Sequence, residues 1–186
     1  SVSVASSPGT LYGTGLVLDA TRIYYSNGAT VQRVAKTGGA VLTIYTGAGF
    51  QSPRVIAVDA TNVYFDISVS SPFAYELRKA PIGGGASILL HSSPNPHSQA
   101  VLQGGNLYWA NNPSGSTSIL RMSTAGGAAT SIYSAASACV LSLAVNASNA
   151  YWSENPTCDP IPSGATTKRR PVPTGAGTTT TQTQSR

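Results

Sequence analysis

Two histidines stand six residues apart in Leu90-His91-Ser92-Ser93-Pro94-Asn95-Pro96-His97, and the 186-residue chain has no others. Paired imidazoles can ligate a metal or move protons, but a metal site needs a third donor. No His, Cys or Asp cluster accompanies this pair in sequence, and the only glutamates are Glu76 and Glu154. The reading that follows is a pair of solvated loop histidines. Cys139 and Cys158 are the only cysteines. An isolated pair in a chain rich in Ser and Thr reads most simply as one structural disulfide, stabilising by about 3 kcal/mol on the chain-entropy model. Such bonds persist in oxidising compartments, so the expectation is secretion or surface display. The chain opens on Ser1 without a charged and apolar leader, which suits a processed product.

The formal charge is +5, from eleven Lys and Arg against six Asp and Glu. A nucleic-acid surface would want a continuous basic stripe with stacking aromatics. Here the only tight basic run is Lys168-Arg169-Arg170, which reads as a solvated strand face, so no nucleic-acid partner is expected. Charged residues make up only 9% of the chain and hydrophobic ones 41%, so there is apolar surface to bury and disorder is not expected. No window approaches the roughly 18 unbroken apolar residues of a membrane span.

The elements that must position these residues emerge from self-comparison. An aromatic pair recurs as Tyr24-Tyr25, Tyr64-Phe65, Tyr108-Trp109 and Tyr151-Trp152, at steps of 40, 44 and 43 residues. Apolar runs ending in a polar turn precede three of the pairs: Leu16-Val17-Leu18-Asp19, Ile56-Ala57-Val58-Asp59 and Leu143-Ala144-Val145-Asn146. Ala100-Val101-Leu102-Gln103 takes the same place in the remaining copy. A second anchor follows the aromatics, with Arg33, Arg78, Arg121 and Arg170 each five residues before Gly38, Gly83, Gly126 and Gly175. Short alternating runs bounded by Asp, Asn and Gly are strand and hairpin signals. Each copy therefore parses as four strands. Tandem four-stranded units of this period are the signature of propeller blades. The aromatic pair is expected to send one member inward and the other between blades.

The anchors continue as Tyr151-Trp152-Ser153-Glu154, Tyr108-Trp109-Ala110-Asn111, Tyr24-Tyr25-Ser26-Asn27 and Tyr64-Phe65-Asp66. They resemble the YWTD repeats of low-density-lipoprotein-receptor-type propellers and of bacterial extracellular relatives, over residues 10–186. That resemblance implies a six-bladed ring that binds ligands outside the cell, whereas this chain holds four copies. Some bacterial propellers are metal-dependent lyases or lactonases built on a His–Glu pair, which makes His91 and His97 an alternative site of that type.

The expected architecture is thus all-β and β-propeller-like: four four-stranded blades of about 43 residues plus an extra N-terminal strand. The repeat domain covers 1–177, in units of about 10–54, 55–99, 100–142 and 143–186, with 178–186 a Thr-rich tail or final strand. Aligning Val4 with Ile44 makes Ser1–Ala5 a fourth-strand segment, and Thr178–Gln184 falls at the same position, so two segments compete for one slot. From the second aromatic to the glycine anchor the copies measure 13, 18, 17 and 23 residues. A rigid frame with loops of varying length on one face is how binding surfaces are diversified. The candidate binding residues on that face are Phe73, Tyr75, His91, His97, Asn111, Asn112, Glu154 and Asp159, with Cys139–Cys158 as the disulfide. The expected function is a secreted, non-enzymatic module that recognises an extracellular protein or glycan and needs no cofactor. The alternatives are a structural subunit forming homo-oligomers through its terminal strands, and the metal-assisted lyase or lactonase.

Overall fold

The computed structural model describes residues 15–49, 51–70, 72–113, 116–155 and 165–172. All regular structure in them is strand. Sheet I holds β1 (Leu16–Leu18), β2 (Arg22–Asn27), β3 (Thr30–Ala35) and β4 (Leu42–Thr46). Sheet II holds β5 (Arg54–Val58), β6 (Asn62–Ser70), β7 (Phe73–Pro81) and β8 (Ile88–Ser93). Sheet III holds β9 (Ser98–Gln103), β10 (Asn106–Asn111), β11 (Ser116–Ser123) and β12 (Thr130–Ala136). Sheet IV holds β13 (Cys139–Val145), β14 (Asn149–Asn155) and β15 (Thr166–Pro171), three strands among the described residues. Every pairing is antiparallel between sequence neighbours. The chain divides into two compact units: Ser1–Pro94, with sheets I and II, and Asn95–Arg186, with sheets III and IV.

The first turn of each sheet shows why these sequences fold as they do. Asp19 Oδ1 accepts the amides of Thr21 and Arg22, both at 2.6 Å, while Oδ2 takes the Tyr24 phenol at 2.7 Å. Asp59 repeats this with Thr61, Asn62 and Tyr64 at 2.8, 2.7 and 2.5 Å. Burial opposes the charge on Asp19, yet these donors outweigh it and hold its carboxyl down to about 2. Asp59 is likewise lowered, against burial, by the Tyr64 phenol and the turn amides. Asn146 closes the turn of sheet IV with amide oxygen alone, accepting from Ser148 and Asn149. The third-to-fourth strand turns need glycine for a different reason. Gly38, Gly84 and Gly126 have φ of 85°, 87° and 105°, a region that side-chain-bearing residues rarely adopt.

Register corrects the second sequence anchor. Tyr24 lies opposite Arg33, Tyr64 opposite Lys79, Tyr108 opposite Arg121 and Tyr151 opposite Arg169. The repeated basic position is thus Arg33, Lys79, Arg121 and Arg169, not Arg78 and Arg170 in the second and fourth copies. The turn glycine of the second copy is Gly84, whose amide bonds Pro81 O as Gly38 bonds Ala35 O. Gly175 lies outside the described residues.

Both members of each aromatic pair face sheet surfaces, because neighbouring strand residues point to opposite faces. In the first unit Tyr24 and Phe65 meet in one core with Val31, Ile44, Val55, Val63, Ile67 and Ala80. In the second, Tyr108 and Trp152 meet with Ile119, Ile132, Val140, Leu143 and Ala150. Within each unit the first aromatic of the leading sheet thus meets the second aromatic of the sheet that follows. Burying each such aromatic stabilises by about 2–3 kcal/mol. Side-chain clamps tie the paired sheets. Ser26 Oγ accepts the Val55 amide at 3.0 Å, where the adjacent Gly15 leaves no room for a side chain: an added Cβ would lie 2.3 Å from Val55 N.

Candidate binding site at the β6–β7 hairpin

The second blade's connection was expected to be a loop, but it is a hairpin extension. Pairing of β6 with β7 runs unbroken from Asn62↔Pro81 to Ser70↔Phe73. Its flanking strands stop earlier: β5 ends its pairing at Arg54↔Asp66 and β8 at Tyr75↔Ser93. The last two rungs therefore project past both flanking strands, and Phe73 on them shares one face of β7 with Tyr75. Their rings meet edge-on, with centroids 5.3 Å apart, and Phe73 is 61% exposed.

Between this hairpin and the β4–β5 connection lies a cleft of about 560 Å³, bordered by Gln51, Ser68, Val69, Phe73, Glu76 and Ser92 among others. That volume is in the range of small-molecule and short-peptide sites. Gln51 is fixed in place, since its Oε1 accepts the Tyr45 phenol and the Ala48 amide, both at 3.1 Å. Glu76 is neutralised by Arg78, whose Nε donates to it at 2.7 Å while Nη1 donates to Ser87 at 3.0 Å. The cleft thus presents hydroxyls, an amide and an exposed aromatic with no uncompensated charge. Burial raises the Tyr45 phenol, with Arg78 opposing and Glu76 adding to the shift, so the hydroxyl stays protonated at neutral pH.

Other sequence candidates do different work. Asn112 Oδ1 accepts from the Thr117 hydroxyl at 2.5 Å and the Val140 amide at 3.3 Å, and its Nδ2 donates to Val140 O at 3.2 Å. It clamps sheet III to sheet IV, as Ser26 clamps sheet I to sheet II. Asn111 lies opposite Ser118, and its buried Oδ1 has no hydrogen-bond partner among the described residues. His91 is half-buried on β8, opposite Leu77. His97 has no exposed surface and meets the Trp109 ring at 5.3 Å, so it is a core histidine rather than a solvated one. The two imidazoles belong to different compact units. No group of three or more metal-ligating side chains occurs among the described residues.

Glu154, expected on the binding face, is 5% exposed. Its Oε2 accepts the Tyr133 phenol at 2.7 Å and the Trp152 indole N–H at 3.0 Å, and its Oε1 accepts from Lys168 Nζ. Burial pushes the carboxyl up, but Lys168, Tyr133 and Trp152 outweigh it and hold Glu154 below 4.5. Burial opposes the charge on Lys168 as well, and Glu154 more than offsets it, raising the ammonium above 10.5. The ion pair lies within sheet IV, and the Tyr133 phenol of β12, bonded to both Glu154 and Lys168, ties it to sheet III. Asp159 and Cys158 lie outside the described residues, so the Cys139–Cys158 pairing does too. Cys139 itself opens β13.

Sequence reasoning passed over Gln51, Ser68 and the Glu76–Arg78 pair. A signal existed for the hairpin: Ile67 and Val69 alternate with Asp66, Ser68 and Ser70, the period of a continuing strand.

No family model matches the chain, and no curated protein does. Solved structures do. The crystal structure of a nidogen/laminin complex matches with a TM-score of 0.60 at 19% identity, covering 74% of this chain and 55% of the other. A putative TolB from Agrobacterium tumefaciens gives 0.62 at 11%, covering 87% and 60%. A Mycobacterium tuberculosis puromycin-hydrolyzing peptidase gives 0.63 at 10%, covering 91% and 30%. The chain thus spans less than two thirds of these proteins. At such identities the likeness shows fold alone: an all-β, β-propeller-like module built from tandem antiparallel blades.

Proposed function

We propose that the chain is a secreted or surface-displayed, non-enzymatic propeller module that recognises an extracellular protein or glycan. Recognition centres on the blade end where the β6–β7 hairpin and the β4–β5 connection meet. The observation that carries this reading is the roughly 560 Å³ cleft at an extended hairpin, polar, charge-compensated and rimmed by an exposed phenylalanine. Exposed aromatics beside hydroxyl and amide groups are the usual composition of protein and sugar recognition surfaces. The nidogen/laminin likeness is compatible with protein binding, since that structure is itself a protein complex.

The test is a screen of the intact chain against a random-peptide display library and an array of neutral glycans. Any binder found is then titrated against Phe73→Ala and Gln51→Ala. At least a tenfold loss in either variant is expected. Undiminished binding by both, or no binder in either screen, contradicts the reading. Secretion rests on the proposed Cys139–Cys158 disulfide, checked by titrating thiols under denaturing, non-reducing conditions; two reactive thiols would remove that support. A second reading, assembly through terminal strands, rests on the sequence, where Ser1–Ala5 and Thr178–Gln184 compete for one strand position. It predicts a solution mass above that of one chain, and a monomer that persists on dilution and concentration would end it.

A further inference from the structure

We infer that the cleft takes an extended peptide, which adds as a strand to the free edge of β6; this rests on the binding reading above and names the ligand class for that site. Three observations converge. First, β5 pairs with β6 only as far as Asp66, so among the described residues Ile67–Ser70 have a strand neighbour on one side, β7, and none on the other. Among the described residues, no backbone hydrogen bond outside the ladders reaches Ile67–Ser70. Second, Ser68, Val69 and Ser70 all border the cleft. Phe73, Ala74 and Glu76 of β7 and Ser92 of β8 border it too, so the cleft spans the hairpin end and reaches this stretch of β6. Third, Ala48, Gly49 and Gln51, the last held by Tyr45, border the cleft on the side of the β4–β5 connection.

An exposed strand edge is a standing template for a partner strand. Four residues of β6 offer about 13 Å of edge at roughly 3.3 Å per residue, enough for a four-residue peptide core. Main-chain bonds would supply affinity, while alternate peptide side chains would face the cleft and the hairpin tip. A sugar would use the hydroxyls and the aromatic but would leave the edge amides without a directional partner.

The experiment uses the intact chain and peptides selected from a random eight-residue display library. Each selected peptide is resynthesised with single backbone N-methyl groups, and amide hydrogen exchange of the protein is followed with and without it. Strand addition predicts losses of at least tenfold at alternate peptide positions, small effects between them, and slowed exchange within residues 67–70. Peptides that bind the cleft without a two-residue period and without that slowing overturn strand addition while leaving the recognition site standing. Glycan binding with no peptide binding does the same. Failure of both libraries overturns the inference and the binding reading together.

Discussion

The two units solve one packing problem with opposite chemistry. In the first, Tyr45 and Phe65 meet with ring centroids 4.7 Å apart, tilted by 42°. In the second, Tyr133 and Trp152 occupy the same frame positions at 4.5 Å and 47°. Two residues past the second aromatic the units diverge: Ile67 is buried among apolar neighbours, whereas Glu154 is buried and paired with the half-buried Lys168. The change follows from the aromatic. Phenylalanine asks for no partner, but a buried indole N–H needs an acceptor, and Glu154 supplies it. Once buried, that carboxylate needs a cation, and Lys168 sits directly across the strand pair from Trp152. One backbone frame thus tolerates either an apolar wedge or a closed polar network, provided that each is complete.

The largest effect should come from forcing the polar solution into the apolar unit. Ile67→Glu would bury a carboxylate where the counterpart of Lys168, Arg78 opposite Phe65, is already engaged by Glu76, and should cost more than about 4 kcal/mol in urea unfolding. Glu154→Ala leaves the indole N–H, the phenol and an ammonium without their acceptor, and should cost about 3 kcal/mol. Converting the second unit wholesale, as Trp152→Phe with Glu154→Ile and Lys168→Met, should return stability to within about 1.5 kcal/mol of the parent. A triple variant as unstable as Glu154→Ala would break the comparison.

The pH profile sharpens it. The Glu154 carboxyl is lowered on folding, so its contribution is present above 4.5 and disappears as pH falls through the folded value. The Lys168 ammonium is raised, so its contribution is present below 10.5 and disappears as pH rises through the folded value. The stability difference between parent and triple variant should therefore be flat from about pH 5 to 10 and fall at both ends. A difference that is unchanged at pH 3 would contradict the ion-pair account.

A smaller effect separates the turns. Asp59→Ala removes the acceptor for two amides and a phenol and should cost about 1.5–2 kcal/mol. Asp59→Asn should cost under about 1 kcal/mol, because Asn146 already serves this turn in the fourth sheet.

Local chemistry explains which features could be read from the sequence. The aromatic pair and the turn aspartates lie five residues apart and bond to each other, so their spacing was visible. The basic anchor slipped because Arg78-Lys79 and Arg169-Arg170 each offer adjacent cations, and Gly83-Gly84-Gly85 offers adjacent glycines. Only cross-strand register decides among them. The role of Glu154 was illegible for another reason: its partners Tyr133 and Lys168 stand 21 and 14 residues away. The cleft was legible by location but not by form. Length flagged the β6–β7 connection as variable, whereas the early end of β5 beside it depends on pairing.

The central claim, recognition at the β6–β7 hairpin, is tested most directly by shortening that hairpin. Replacing residues 69–74 with Asn-Gly leaves Ser68 and Tyr75 flanking a two-residue turn and removes the distal rungs without touching either core clamp. Calorimetric titration of a library-selected peptide or glycan should then show at least a hundredfold loss of affinity, with the urea midpoint nearly unchanged. Affinity within threefold of the parent in a folded, shortened chain would contradict the account.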